Sequence, residues 1–553
     1  MSGERLRAAD LYSGVGGWSL GLRLANLDVA ASYEKWDAAN LTNRLNNGHL
    51  THKADIRKLE PRELPSGVEV VVGSPPCTEF SFSNRGGGGD IKDGLRDIIK
   101  FLEIVDHLKP RWWVMENVPR VASIVKKELQ PRKRLARFRH LSPGIAVFNM
   151  EDFGVPQRRR RCLIGNIDFE LLRSYTGAVP ARTLGDVISA LSASTVRDPL
   201  YGIELPAASL NDHDPEPHLD PEELRINKAG KLTHPVYNSM AFPDPLNRSV
   251  RTITATCTRV SRESVVIEDP ARPGCLRRLT PRERASLQTF PITYEFYGET
   301  YAQKLRMIGN AVPPAFSFLV GHAIQGTPVS ELPDLSGFAA DLPRPTQEPP
   351  KTPPEGNARK FPPNRTFRFA VPNLRLKSGV RFEMANENWG GETRWAVRFV
   401  FGTSKDILDV GLGQELLGLL QALLHSTLAA SVNAELDVLR QSLCACDLKR
   451  MQAVWSHSGP GGTRPFDVLD AIGATGAAVL RLLKEGPEEG CKAAVMAALE
   501  FDYGPSATEM TGCNKLLRHA ELVHAGMLVG ATANQVFLGL PTLAVPDGLR
   551  ASG

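Results

Sequence analysis

Short apolar runs alternate with helix-patterned stretches through the first 165 residues, and no other feature constrains the fold as strongly. Strands separated by helices read as βαβ units, which build a mostly parallel sheet. The candidate strands are Leu6–Leu11, Val29–Tyr33, Val68–Val72, Trp112–Met115 and Cys162–Gly165. Helical spacing covers Leu20–Ala25, Asp37–Asn46, Asp97–His107 and Arg120–Leu129. Enzymes built on such sheets bind their ligands at the carboxyl edge, so the residues just after these strands are the candidates for chemistry.

The rhythm is lost between 166 and 275, where Pro, Asn, Asp and His accumulate, and this stretch reads as an inserted, irregular module. Helical patterning returns at Leu279 and runs to about Gln325, so 276–325 reads as a return to the first domain. Ten prolines between Pro328 and Pro363 predict an extended linker over 326–363. Beyond it, Thr366–Phe401 alternates like an antiparallel sheet, and 412 to about 535 is mostly helical. Residues 364–553 are therefore read as a C-terminal α+β domain, with a structural appendage as its plainest role.

The apolar (42%) and charged (23%) fractions are those of a soluble globular protein. A net charge of +5 is compatible with a nucleic-acid partner, and its distribution is more telling than its size. Lys126–Arg139 holds seven basic residues and one acidic one, and Arg158–Arg161 are four consecutive arginines. The eight cysteines include no CxxC pair, and Cys444-Ala-Cys446 lacks the partners of a tetrahedral site, so no metal is expected. Reduced thiols in the cytoplasm are expected instead. The N-terminus lacks the apolar core of a signal peptide. Leu416–Val432 is interrupted by Gln421, His425, Ser426 and Thr427, so it reads as a buried helix and no membrane partner is expected.

Two strand ends point to a nucleoside ligand. The first strand runs into Asp10-Leu-Tyr12-Ser-Gly14-Val-Gly16-Gly17 and then a helix. Glycines there admit a ligand to the backbone, and the helix N-terminus offers N–H groups to a carboxylate. The same turn without a ligand is simply tight. Glu34, after the second strand, sits where ribose hydroxyls need a carboxylate, with Trp36 placed to pack against an adenine. Asp55 is a candidate acceptor for an exocyclic amine. A helix cap or a surface charge is the alternative for both acids.

The third strand end is Gly73-Ser-Pro75-Pro76-Cys77, where two prolines fix the turn and project a thiol at the sheet edge. A lone cysteine is usually a small hydrophobe, but Pro-Pro-Cys at a strand end suits a nucleophile. Its thiolate needs nearby positive charge, which Gln157-Arg-Arg159-Arg-Arg161 offers unless that run is a solvated face. Trp113-Val-Met-Glu116-Asn117-Val118 delivers a carboxylate at another strand end, either as a functional acid or as a loop anchor.

Together these motifs resemble the DNA cytosine-5 methyltransferase family. DLYSGVGGWSLGL looks like its first motif, GSPPCTEFS its Pro-Cys motif, MENV its Glu-Asn-Val motif and FGVPQRRRR its Gln-x-Arg-x-Arg motif. LTPRERASLQTFP and MIGNAVPP look like the last two, and NRSVRTITATC like the exit from the recognition domain. The resemblance covers residues 8 to about 325 in family order. It implies an α/β, Rossmann-like class I methyltransferase fold with an inserted target-recognition domain, ahead of the C-terminal α+β domain. It implies S-adenosyl-L-methionine as cofactor, held by Tyr12, Gly14, Gly16, Glu34, Trp36, Asp55 and Asn310. It also implies Cys77 as nucleophile, Glu116 at cytosine N3, and Arg159 and Arg161 at O2 and the nucleophile. Pro75, Asn117, Val118 and Gln157 complete the substrate contacts. The stretch Ser83–Gly89 resembles the loop that closes over DNA, and 166–275 would read the target. Double-stranded DNA is the expected partner, with a cognate restriction endonuclease as a candidate second one, in a bacterial cytoplasm near the nucleoid. In this sequence Lys35 separates Glu34 from Trp36, and Thr78 follows the cysteine. Transfer-RNA cytosine methylation and a catalytically silent DNA-binding module are the rival readings.

Overall fold

Strands that are apolar at every position, such as Val70-Val-Val72, require a sheet covered on both faces. The computed structural model describes residues 5–80, 89–233, 239–356, 361–376, 380–389, 392–403, 406–457, 461–510 and 512–539. Its contacts divide the chain into two units, Met1–Leu219 with Pro243–Glu355, and Asp220–Phe242 with Gly356–Gly553.

The first unit is built on seven strands: β1 (Arg7–Leu11), β2 (Asp28–Glu34), β3 (Thr51–Lys53), β4 (Val70–Gly73), β5 (Trp112–Asn117), β6 (Gly144–Asn149) and β7 (Arg160–Gly165). Their order is β3-β2-β1-β4-β5-β7-β6. The pairs β1–β2, β2–β3, β1–β4 and β4–β5 are parallel, and β7 runs antiparallel to both of its neighbours. Alternate residues serve opposite faces. Val70, Val72 and Val114 enter one core cluster, whereas Val71, Trp113 and Met115 enter the other. The first cluster includes α1 (Gly17–Leu24), and the second is closed by α3 (Ile91–Leu108) and α4 (Arg120–Glu128). Between them, α2 (Asp37–Asn47) follows β2. The return segment supplies α5 (Tyr301–Asn310) and α6 (Pro314–Gln325), and α6 packs on α1. β3 and β6 were not among the sequence-based candidates.

The proline-rich stretch differs from a free linker. Leu335 and Leu342 are buried in the first core cluster, Tyr297 donates to the Gln347 carbonyl (2.6 Å), and Lys304 donates to that of Pro350 (2.7 Å). Prolines keep this segment extended, while two leucines and two backbone carbonyls moor it.

In the second unit, β8 (Arg368–Arg375), β9 (Arg381–Trp389), β10 (Glu392–Thr403) and β11 (Asp406–Val410) form an antiparallel meander. It is followed by α7 (Gln414–Ala422), α8 (Ser426–Cys444), α9 (Pro465–Lys484), α10 (Glu488–Tyr503) and α11 (Ala520–Phe537). Leu416–Val432 is thus the body of α7 and the start of α8, broken at Leu423–His425. Asn534 of α11 clips β10, accepting from the Val397 N–H (2.7 Å) and donating to the Val397 carbonyl (3.0 Å). Phe382 stacks on Phe399 at 4.6 Å, and Gly526 leaves room for its ring, because a Cβ there would come within 2.1 Å of it. Phe382→Ala is expected to cost about 3–5 kcal/mol of unfolding free energy, read by urea denaturation, as large buried rings do.

Candidate active site

Parallel register brings the ends of β1, β2, β4 and β5 to one edge. Leu11 pairs with Tyr33 and Gly73, and Gly73 with Met115. The turns 12–17, 34–36 and 74–77 and the residues 116–118 therefore lie along the same rim. The reversed β7 brings its amino end there, with Cys162 opposite Asn117 and Leu163 opposite Glu116. Reversing one strand is what lets an arginine run precede a strand and still reach an edge where the others finish.

Arg161 Nε meets Glu116 Oε1 at 2.8 Å, with the two side chains only 14% and 8% exposed. Asn117 is buried and donates to the Pro75 carbonyl (3.0 Å), clamping the Pro-Pro-Cys turn to β5, and its own Oδ1 accepts from the Val118 N–H (2.9 Å). Cys77 is partly exposed. Burial pushes its thiol up, Arg161 and Arg159 pull it down, and the negative Glu116 works against them. The arginines that were expected to favour a thiolate are in place, but burial outweighs them before substrate arrives.

Arg159 is buried and grips three backbone carbonyls, those of Ala311 (2.9 Å), Gly309 (3.3 Å) and Ile253 (3.3 Å). Burial lowers its guanidinium to about 9, with Arg161 adding to the effect. Its grip flanks Asn310, which is exposed at the end of α5. Gln157, expected at the substrate, is placed otherwise. It is fully buried, donates to Leu287 O (2.9 Å) and Gln288 Oε1 (2.8 Å), and accepts from the Ile253 N–H (3.1 Å). With both ends of its amide engaged, it pins the exit of the middle segment to the helix Pro281–Leu287.

At the cofactor turn, Gly14 and Gly16 have positive φ (53° and 86°). A Cβ at Gly16 would lie 2.2 Å from Asn43 Oδ1, whereas one at Gly14 would meet nothing within 4 Å. The turn is thus packed tightly beneath and open above, and α1 begins without a side-chain cap. This cradle fits S-adenosylmethionine, offering N–H groups to its carboxylate. Glu34 accepts from the Gly14 N–H (3.1 Å) and the Trp36 N–H (2.8 Å), and its carboxylate keeps further lone pairs. Arg306 lies 5.2 Å from the Trp36 ring centroid. Tyr12 has φ 54° and directs its hydroxyl to Asp97 (3.2 Å). Asp55 is exposed and caps a short turn, accepting from the Arg57 N–H (3.2 Å). The stretch Ser83–Gly89 lies outside the described residues except for Gly89.

Sequence reasoning missed the support under this turn. Ser19 donates to Asp10 (2.7 Å), Asn43 donates to Ser32 (3.0 Å), and Asn47 donates to Asn43 (2.8 Å), Tyr294 (3.1 Å) and the Gly16 carbonyl (3.4 Å). Tyr294 in turn donates to the Val15 carbonyl. Trp18 Nε1 donates to Ser74 Oγ (3.0 Å), joining the cofactor turn to the Pro-Pro-Cys turn. Asparagine is a poor helix former, so four in the eleven residues of α2 were the available signal.

The model of the C-5 cytosine-specific DNA methylases matches residues 6–326. The chain belongs to that family. Among curated relatives, Type II methyltransferase M.HindV of Haemophilus influenzae is 28% identical over 332 residues, spanning 58% of this chain and 96% of the relative. Type II methyltransferase M.MthTI of Methanothermobacter thermautotrophicus is likewise 28% identical, over 55% of this chain and 92% of its own length. This cytosine-5 methylase therefore uses S-adenosylmethionine as its methyl donor, and the family match ends close to the end of α6.

Two outcomes test the buried support. Tyr294→Phe is expected to weaken S-adenosylmethionine binding about tenfold by titration calorimetry, with kcat at saturating cofactor little changed, because the Val15 carbonyl loses its donor and Asn47 loses an acceptor. Burial raises the Asp10 carboxyl to about 7 from 3.8, so the folded protein holds this proton where the unfolded chain has lost it. Stability then declines as pH rises from about 4 to 7, at up to about 1.4 kcal/mol per pH, and is flat above. Asp10→Asn should flatten that decline in denaturation measured across the range.

Proposed function

We propose that this chain methylates carbon 5 of cytosine within a specific sequence of duplex DNA, through a transient bond between Cys77 and a flipped-out base. The observation that carries this reading is the meeting of Cys77, Glu116 and Arg161 on one sheet rim beside the open Gly14 turn.

Carbon 5 of cytosine becomes nucleophilic when a thiolate adds at carbon 6. The Cys77 sulfur forms the S–C6 bond, and the displaced π electrons pass into the ring toward N3 and O2. Glu116, held by Arg161, shares a proton with N3, and the two arginines oppose the charge that develops. S-adenosylmethionine, when bound, supplies an electrophilic methyl group. Loss of the C5 proton to water then restores the C5–C6 double bond and expels the Cys77 thiolate, which takes up a proton again. A buried thiol whose proton is held more tightly than usual is kept inert until a base lies against it. Tyr12, Gly14, Gly16, Glu34, Trp36, Asp55 and Asn310 are the proposed cofactor residues. Pro75, Asn117 and Val118 line the base.

Duplex DNA is favoured over transfer RNA because the relatives named above are Type II methyltransferases and because a long segment interrupts the catalytic unit. The same names support a restriction endonuclease as companion and a cytoplasmic location. The basic residues Lys126, Lys127, Lys133 and Arg134, all exposed, are the proposed phosphate contacts.

Cys77→Ser is expected to cut tritium transfer to DNA by at least about 10³-fold and to abolish the adduct with a 5-fluorocytosine duplex. Full transfer by the serine variant, or preferred labelling of transfer RNA, defeats the reading. In wild-type protein, the logarithm of DNA affinity should fall linearly with that of salt concentration. Alanine at Lys133 and Arg134 should each remove about 1 from that slope, measured by fluorescence anisotropy.

A further inference from the structure

The chain leaves the catalytic unit at Leu219, re-enters it at Pro243, and leaves again after Glu355. Residues 220–242 come from the middle of the segment assigned to target recognition, yet they cluster with 356–553. Their helix, Pro221–Leu232, starts with an Asp220 capping box and buries Ile226, Asn227 and Lys231. Arg225 pairs with Asp470 of α9 and lies over the Phe466 ring at 5.2 Å, and Arg464 pairs with Glu222 at 3.4 Å. A cavity of about 510 Å³ lies along this seam, lined by Glu222 and Arg225 from the helix and by Arg365, Phe466 and Asp470 from the C-terminal elements.

An appendage with only a structural role would need one connection to the catalytic unit. Here the second unit completes itself with a helix lent by the recognition segment. The 23-residue excursion 220–242 is thus joined to the first unit at both of its ends, Leu219 and Pro243. Those ends lead directly into recognition residues: the Leu219 N–H bonds to the Leu276 carbonyl (2.9 Å), and the Asp244 N–H to that of Val266 (2.7 Å). Leu276 and Val266 belong to the hairpin Val266–Asp269/Arg272–Arg278.

We propose that residues 356–539 are a working part of target recognition, holding the helix Pro221–Leu232 so that the hairpin 266–278 is presented to DNA in one arrangement. This rests on reading 166–275 as the recognition segment.

The test uses the full chain. Arg225→Asp, Asp470→Arg and the double exchange are prepared, with Ile226→Asp as a stronger release of the helix. Hydrogen exchange over 221–232 reports the release, and bisulfite mapping of a methylated genomic library reports target choice. Release is expected to lower the preference for target over near-cognate sites at least fivefold, with S-adenosylmethionine affinity unchanged and with recovery in the double exchange. A released helix with an unaltered site map overturns the proposal. A wild-type map without sequence preference overturns the recognition reading, and this proposal with it.

Discussion

The ion pair between Arg161 and Glu116 is the contact on which the rim of the sheet depends. Two charges that are 14% and 8% exposed give up much of their hydration, and at 2.8 Å each offsets part of the other's loss. That geometry exists because β7 is reversed, so that its amino end faces the carboxyl end of β5. Removing either partner would strand a buried charge, a loss of about 3–5 kcal/mol in comparable pairs. The pair therefore does more than neutralise charge. It sets the direction of the Glu116 carboxyl, and Arg161 and Glu116 pull the Cys77 thiol in opposite directions, beneath the larger effect of its burial.

A second tier of contacts surrounds this pair and consists of side chains gripping backbone. Arg159 takes the carbonyls of Ile253, Gly309 and Ala311, Gln157 takes the backbone around Leu287 and Ile253, and Asn117 takes Pro75. Such bonds hold loops without asking anything of the loops' own side chains, so a site can be rigid while its base-facing surface stays free to vary. The arginine run thereby divides its labour. Arg159 builds the floor, Arg161 orients the acid, and the exposed Arg158 and Arg160 remain for solvent or phosphate.

The sheet and its rim were legible in the sequence because both rest on local rules. Val68–Val72 reads as a covered strand, and Pro75-Pro76-Cys77 reads as a turn whatever lies across from it. β3 is three residues long, too short for any period to show, and β6 is an alternating run set among basic and irregular residues. The fate of Gln157 was not legible, since nothing near it in sequence says that Leu287, Gln288 and Ile253 will close around it. The same holds for Asp10, whose partner Ser19 is nine residues away and whose burial comes from the whole fold. The proline count spoke truly of extended backbone, but Leu335 and Leu342, two leucines among many, decided where that backbone lies.

A polar layer under a cofactor turn costs stability, because asparagine, serine and aspartate all lose water there. The structure repays this with reciprocity. Asn47 touches Asn43, Tyr294 and Gly16, so each amide satisfies several groups at once. An apolar floor of the same volume would pack as well but would leave the Val15 carbonyl without the Tyr294 donor and the Gly16 carbonyl with the Leu20 N–H alone. The left-handed backbone at Gly16 and the polar floor therefore go together. The open face above Gly14 can be offered to a ligand because the face beneath Gly16 is closely packed and hydrogen-bonded.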